Sequence, residues 1–282
     1  MPLKTILVTG CSAGGIGAAI CGALATRGHH VFVTARDTSK VPESLSALSN
    51  VTVLRLDVCW TESVSETAKL VAESGRGLDV LVNNAGAGYA MPLLDVDIER
   101  AQRLYDLNVW GPIRAVQAFS KLLIASRGRV VNISTVGAVV NTPWIGTYAS
   151  SKAALTNLSE TLRLELSPLG VTVVAIMCGT INSLFHNNDP DFHLPPTSLY
   201  MPIEKTIAGW ASAELKPKGI PAEQFAEMLV EDMGGSGTAG LVWKGPNSSG
   251  IKFVSQFLPQ FLADFVVSYT QGLKELKGHR AG

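Results

Sequence analysis

Short runs of β-branched and aliphatic residues alternate along the chain with longer stretches in which apolar positions recur at helical spacing. The runs Thr5–Thr9, His30–Ala35, Val51–Leu56, Asp79–Val82, Arg129–Ile133 and Val171–Met177 are nearly continuous in apolar character, the pattern of strands buried on both faces. Between them, Ile16–Arg27, a short segment near Pro42–Leu48, Glu62–Ser74, Ile98–Val109, Pro112–Ala125 and Thr147–Leu166 read as helices. This rhythm predicts an α/β fold, a doubly wound parallel sheet of Rossmann-like kind with helices on both faces and right-handed crossovers. After Ser183 the rhythm breaks. Prolines and an Asn-Asn pair interrupt Leu184–Tyr200, which reads as a long loop or lid; a helix near Ala222–Met233 and a strand near Leu241–Trp243 follow. The flexible stretch Gly234–Gly240 is too short to separate domains. A single domain over residues 1–282 is therefore expected, with the alternating core at 1–183 and a lid and C-terminal helical tail at 184–282.

In the tail, Phe253, Phe257, Phe261 and Phe265 recur at steps of four, with Val254, Leu258, Leu262 and Val266 beside them and Pro259 interrupting. Packing on its own domain or on a partner subunit is the leading expectation for this stripe. A lid over the substrate and a membrane contact are the alternatives, the last disfavoured by few cations within the stripe.

Composition narrows the partners. The 23 basic and 23 acidic residues cancel, so no long-range field recruits nucleic acid or an anionic surface to the chain as a whole. An apolar share of 46% excludes disorder, and no run of apolar residues reaches membrane-spanning length. Cys11, Cys21, Cys59 and Cys178 are scattered without CxxC or a nearby His pair, so neither a disulfide framework nor a zinc site is expected. His186 and His193 in the lid lack metal spacing. The opening MPLKTILVTG shows no signal-peptide pattern, and a cytoplasmic setting is expected.

The first strand runs into TGCSAGGIG, Thr9 to Gly17, and then into a helix. A turn without Cβ atoms at that place lets backbone N–H groups approach a pyrophosphate at the positive helix end. Gly10 makes the sharp exit, Ser12 lies in the turn, and Gly15, Ile16 and Gly17 open the helix. A tight turn with no ligand is the competing reading. At the tip of the second strand, Ala35 stands where an acid would bind the ribose 2′-OH of NAD, and Arg36 follows it. A guanidinium there suits a 2′-phosphate, so NADP(H) is favoured over NAD(H), with the acid of Asp37 as the contrary signal. Asp57, at the end of the third strand beside Val58, is read either as an acceptor for the adenine amino group or as an N-cap.

Taken with that turn, Asp57-Val58, the NNAG run Asn83–Gly86, the NVWG run Asn108–Gly111, a hydroxyl-bearing fifth strand end and the YASSK run Tyr148–Lys152 resemble the single-domain branch of the short-chain dehydrogenase/reductase family. The motifs span about Thr5 to Ser183. The wording of the turn and the stretch Leu194–Tyr200 are similar to fungal members of the acyl-dihydroxyacetone-phosphate reductase kind. The resemblance implies Tyr148 as proton donor in carbonyl reduction, Lys152 lowering its pKa and binding the nicotinamide ribose, and Asn108 as the asparagine that holds water toward the lysine. It also implies cofactor contacts at Val58, Asn84 and Gly86, and a homo-oligomer. The residues themselves agree with part of this. Tyr148 and Lys152 are four apart on a helix and share a face, and a phenol with an ordinary pKa near 10 needs such help to exchange protons near neutrality.

Two departures stand out. The family's usual serine position falls on Thr135, thirteen residues before Tyr148, with Ser134 as its neighbour; alternate strand residues face opposite sides, so one of the two is expected to serve, Thr135 before Ser134. After the sixth strand the family usually reads P-G-x-V-x-T, whereas this chain has CGTINS. Cys178 removes the stiffness of the proline, Gly179 keeps the turn, Ile181 offers a backbone contact to the carboxamide and Ser183 a hydroxyl to phosphate. The substrate region is expected around Ala87–Leu94, Val139–Ile145 and Leu184–Tyr200. There Tyr89, Met91, Trp144, Phe185 and Tyr200 favour an apolar, lipid-like or polyketide-like carbonyl compound. Non-redox chemistry in the same pocket, and an NADPH-binding regulatory protein with little turnover, are the competing functions.

Overall fold

The computed structural model describes residues 2–183, 192–234 and 239–280. Nine strands occur among them: β1 (Thr5–Val8), β2 (His30–Ala35), β3 (Val51–Arg55), β4 (Val80–Asn83), β5 (Arg129–Thr135), β6 (Thr172–Cys178), β7 (Ile181–Asn182), β8 (Ile220–Pro221) and β9 (Gly240–Lys244). The helices are α1 (Ile16–Ala25), α2 (Glu43–Ser46), α3 (Thr61–Glu73), α4 (Ile98–Tyr105), α5 (Gly111–Ser126), α6 (Gly146–Leu166), α7 (Glu204–Ala211), α8 (Ala222–Gly234), α9 (Ser248–Phe257), α10 (Gln260–Ser268) and α11 (Leu273–Arg280). Seven strands form one sheet in the order β3-β2-β1-β4-β5-β6-β9, every pairing parallel, while β7 and β8 pair separately.

The register explains why the strands read as unbroken apolar runs. Val33, Val8, Val82, Val131 and Val174 lie level across five strands, and Phe32, Leu7, Leu81, Val130 and Val173 form the next row. Successive rows face opposite sides. The first row packs with Ile20 and Leu24 of α1 and with Phe225 and Leu229 of α8. The second packs with Val64 and Val71 of α3 and Phe119 and Leu123 of α5. Both faces are thus covered, as a parallel sheet requires. The order in which the chain lays down its strands reverses between β1 and β4, while all run parallel, and such a switch point opens a crevice at the carboxyl ends of those strands, the place where ligands bind in such sheets.

Three local features differ from the sequence reading. The helix expected over Ile98–Val109 ends at Tyr105 and widens into a π-helical turn, Asp106–Trp110, before α5. Pro112 has no N–H to give the carbonyl of Asn108, so an α-helical ladder cannot run through this point. Gly111 permits the close approach, since a Cβ there would sit 2.8 Å from a Val58 methyl carbon. Second, the loop after Cys178 is held in spite of the missing proline. Gly179 N–H donates to the Lys244 carbonyl at 2.9 Å and Thr180 N–H to that of Pro246 at 3.3 Å.

Third, the aromatic stripe of the tail does not pack on its own domain. Phe253, Phe257, Phe261 and Phe265 are 57%, 70%, 70% and 57% exposed. The inner side of the tail is fastened instead by Ala263, by Asn141 Nδ2 donating to Asp264 Oδ1 at 3.1 Å, and by Trp144 Nε1 donating to the Gln271 carbonyl at 3.0 Å. The four cysteines are free thiols.

Candidate active site

The glycine turn is shaped for an anion. Gly10 has φ +73°, and a Cβ there would come within 2.8 Å of Ala85 Cα, so the strand exit needs glycine on both counts. Gly14, which the sequence reading did not single out, also has positive φ. Gly15 is the N-cap of α1 and carries no side-chain cap, and the first turn, starting at Ile16 and Gly17, holds no acidic residue. The positive helix end is therefore left to the turn itself, with Ser12 exposed beside it. Asn84 braces the turn from below: Nδ2 donates to the carbonyls of Thr9 and Gly10 at 2.8 and 3.0 Å. These features fit a dinucleotide pyrophosphate.

At the tip of β2, Arg36 is exposed. Asp37 is engaged elsewhere, since its Oδ1 accepts from Ser39 N at 3.1 Å and from Ser39 Oγ at 2.6 Å, bonds that hold its carboxyl below the usual pKa. The turn that Asp37 caps is itself tied to the glycine turn through Ala13 N–H donating to the Lys40 carbonyl, which brings Lys40 toward the same end of the sheet. Asp57 caps a local turn, with Oδ1 accepting from Cys59 N at 3.0 Å, whereas α3 is preceded by Trp60 and has no side-chain cap. The N-cap alternative for Asp57 thus gives way to a two-residue turn. Val58 buries its side chain against Gly111 and gives its carbonyl to Arg114 at 3.3 Å.

The hydroxyls at the end of β5 diverge as strand alternation requires. Ser134 is buried; its Oγ lies 2.7 Å from Thr156 Oγ1, inside the packing between β5 and α6. Thr135 turns the other way. Its Oγ1 accepts from Gly137 N–H at 3.1 Å, which leaves its own proton for the phenol of Tyr148, to which it is hydrogen-bonded.

The resemblance implies that Lys152 lowers the Tyr148 pKa. In the chain by itself the phenol is instead pushed above its ordinary value, first by burial and second by Cys178, with the Thr135 hydroxyl opposing. Tyr148 thus stands as a neutral acid. Lys152 is buried, donates to the Ile133 carbonyl at 2.9 Å, and is brought down to about 8 by burial. Cys178 lies close enough to act electrostatically on both groups, and its own thiol is pushed up to about 12 by burial. No local pattern around Cys178 signals that role, because its distance from Tyr148 is set by the fold and not by spacing.

Asn108 is fully buried in the π-turn. Its amide clamps Ala87, accepting from N–H and donating to the carbonyl, each at 3.0 Å, and also donates to Ser151 Oγ at 3.0 Å. A Cβ on Gly86 would lie 3.1 Å from Asn108 Oδ1 and 3.4 Å from Lys152 Nζ, so glycine there leaves the ammonium its space. Ser151, unremarked in the YASSK run, joins α6 to this clamp. Beyond β6, Ile181 gives its carbonyl to Lys216 Nζ at 3.2 Å, and Ser183 is the last described residue before 184–191.

On the substrate side, Trp144 is the node. Its carbonyl accepts from Met91 N–H at 2.6 Å, its ring meets Tyr200 edge-on at 5.2 Å, and its indole reaches Gln271. Its φ of +70° is unfavourable for a bulky residue and marks a constrained position. Tyr89 is withdrawn from this region, buried with its hydroxyl accepting from Asp97 N–H at 3.1 Å, so it belongs to the scaffold. Phe185 and His186 lie outside the described residues; His193 is exposed.

The buried ammonium makes a stability prediction. The folded pKa of Lys152, about 8, lies below the ordinary 10.5, so the cost of holding the cation is full below pH 8 and vanishes above pH 10.5. Lys152→Met is expected to stabilise the fold at pH 7 by roughly 1–2 kcal/mol, the gain shrinking toward pH 10 in chemical or thermal melts. A loss of stability at pH 7 would show the cation to be a net support.

A family model described as short chain dehydrogenase matches residues 4–191. The chain is 41% identical over 274 residues to the short-chain dehydrogenase ptmH of Penicillium ochrochloron, covering 97% of this chain and 100% of that one. It is 34% identical over 239 residues to an NADPH-dependent 1-acyldihydroxyacetone phosphate reductase of Schizosaccharomyces pombe, covering 83% and 79%. Among solved structures, a short-chain dehydrogenase from Streptomyces avermitilis superposes with a TM-score of 0.78 at 25% identity, covering 99% of this chain and 98% of that one.

Proposed function

The chain belongs to the short-chain dehydrogenase family and is an oxidoreductase, and on that premise we propose that it uses NADPH to reduce a ketone or aldehyde on an apolar, lipid-like or polyketide-like substrate, with Tyr148 donating the proton. The observation that carries the proposal is the hydrogen-bonded hydroxyl pair of Thr135 and Tyr148 at the carboxyl end of β5, with Lys152 buried four residues along α6 and donating to the Ile133 carbonyl of the same strand.

A nicotinamide held at this site would supply the hydride. The rest falls to the chain. Tyr148, neutral because it is buried, has a proton to give to a carbonyl oxygen that is gaining negative charge. Thr135 holds the phenol from one side, and its donor stabilises the phenolate left behind. Lys152, charged below pH 8, adds a positive field and, clear of Gly86, has room to reach a ribose hydroxyl. Met91, Trp144 and Tyr200 line the approach with apolar surface.

Preference for NADPH rests on Arg36 standing free at the strand tip while Asp37 is engaged by Ser39, and on the NADPH dependence in the name of the fission-yeast relative. Arg36→Ala is expected to weaken NADPH binding by roughly ten- to a hundredfold, with NADH binding little changed, as read by quenching of protein fluorescence. Equal losses for the two would contradict the assignment. A panel of aromatic, polyketide and long-chain acyl ketones, followed by the loss of NADPH absorbance, tests the activity. Turnover of these with NADPH supports it. Product mass change without NADPH loss selects non-redox chemistry in the pocket, and binding without turnover a regulatory role.

A further inference from the structure

The outer face of the tail is apolar to an extent that needs a partner. Besides the four phenylalanines, Leu262, Val266 and Tyr269 are exposed alongside them. Phe253 and Phe257 stack at 5.3 Å, and Phe265 meets Tyr269 at 5.6 Å, so each helix presents its rings as a cluster. The inner side is already occupied: α9 packs on the turn after β5 and on β9, Ala263 is buried, and Asp264 is shared by Asn141 and Gln260. A surface of this size and character, fixed in place by its back, marks an interaction site.

Charge selects the occupant. Exposed lysines flank the rings at both ends, Lys252 on α9 and Lys274 and Lys277 on α11, with the Lys274 ammonium 4.7 Å over the Tyr269 ring. From Ser248 to Arg280 there are four basic residues (Lys252, Lys274, Lys277, Arg280) against two acidic ones (Asp264, Glu275), in a chain whose formal charge is zero. A second copy fits this poorly, because two-fold self-pairing of the stripe sets a cationic end against a cationic end in either direction.

We propose that α9 and α10 form a docking surface for an anionic lipid bilayer, with the phenylalanines entering the acyl boundary and the lysines at the headgroups. The orientation is useful. The tail is fastened to the segment holding Asn141 and Trp144, so docking turns the substrate side toward the lipid, and an apolar substrate reaches the site without crossing water. That consequence rests on the function proposed above; the docking itself does not.

Flotation of the full chain with vesicles tests it, using phosphatidylcholine alone and phosphatidylcholine with about 30% phosphatidylserine. The expected result is flotation with the anionic vesicles, weakened by salt. Replacing Phe253, Phe257, Phe261 and Phe265 together by Ser should lower the partition by roughly a hundredfold or more. These are solvent-facing positions, so melting temperature and NADPH oxidation should stay as they were. Lys252→Glu with Lys274→Glu should lower binding to the anionic vesicles by at least about tenfold and spare the weaker binding to neutral ones. Absence of flotation, or equal flotation of the serine variant, overturns the proposal. So does light scattering that shows the unaltered chain as a dimer and the serine variant as a monomer, which assigns the face to a second copy. No substrate or cofactor is needed, so a failed activity screen leaves this test intact.

Discussion

Tyr148→Phe is expected to lower kcat for ketone reduction by about three orders of magnitude while NADPH binds as before. The substitution removes one oxygen and little volume from α6. On the function proposed above, what it removes chemically is the proton that the carbonyl oxygen needs as it becomes an alkoxide. Burial keeps that proton on the phenol through the neutral range, so on that function each reduction begins with the acid loaded. A quenched-flow or steady-state assay at saturating NADPH reads the loss in kcat, and fluorescence titration reads the intact binding. A variant that keeps more than about a tenth of the rate would move the proton donor elsewhere.

The second large effect separates two adjacent hydroxyls. Thr135→Val should lower kcat by roughly a hundred- to a thousandfold, because the phenol loses the donor that orients it and steadies the phenolate. Valine keeps the shape of threonine, so the β5 terminus should hold. Ser134→Ala should keep most of the activity and instead lose about 1 kcal/mol of stability, because its hydroxyl partners Thr156 within the packing of α6 on β5. The two variants measured side by side for kcat and melting temperature give crossed results. If Ser134→Ala is the inactive one and Thr135→Val the active one, the roles are reversed.

This pair also shows how far the sequence could be read. Alternation along a strand was enough to say that one of the two residues faces the phenol, because strand geometry is local. The thirteen-residue spacing to Tyr148 puts Thr135 first, and the packing of β5 against α6, which is not local, then separates the two by giving Ser134 to Thr156 and Thr135 to the phenol. The sheet itself was legible for the same reason: a strand buried on both faces, such as His30–Ala35, leaves a run of apolar residues that can be recognised without its neighbours. The π-turn at Asp106–Trp110 was missed although Gly111 and Pro112 mark it, because periodicity cannot tell a widened turn from an ordinary helix.

Side chains committed to the scaffold were the hardest to foresee. Tyr89 looked like a pocket residue, yet its hydroxyl serves the backbone of Asp97, a contact that depends on the path of the loop between them. Cys178 and Tyr148 are thirty residues apart, and only the folded sheet puts a thiol beside the phenol. The tail shows the opposite case. Its stripe was plain in the sequence, but an apolar stripe states only that something covers it, and the fold supplied the fact that this chain does not.

The most direct test is deuteride transfer from NADPH carrying deuterium at both C4 positions of the nicotinamide, with a substrate found in the ketone panel and the product read by mass spectrometry and NMR. One deuterium is expected on the carbinol carbon for each NADPH consumed, with the proton on oxygen drawn from solvent. Product that forms with no label and no consumption of NADPH would contradict it.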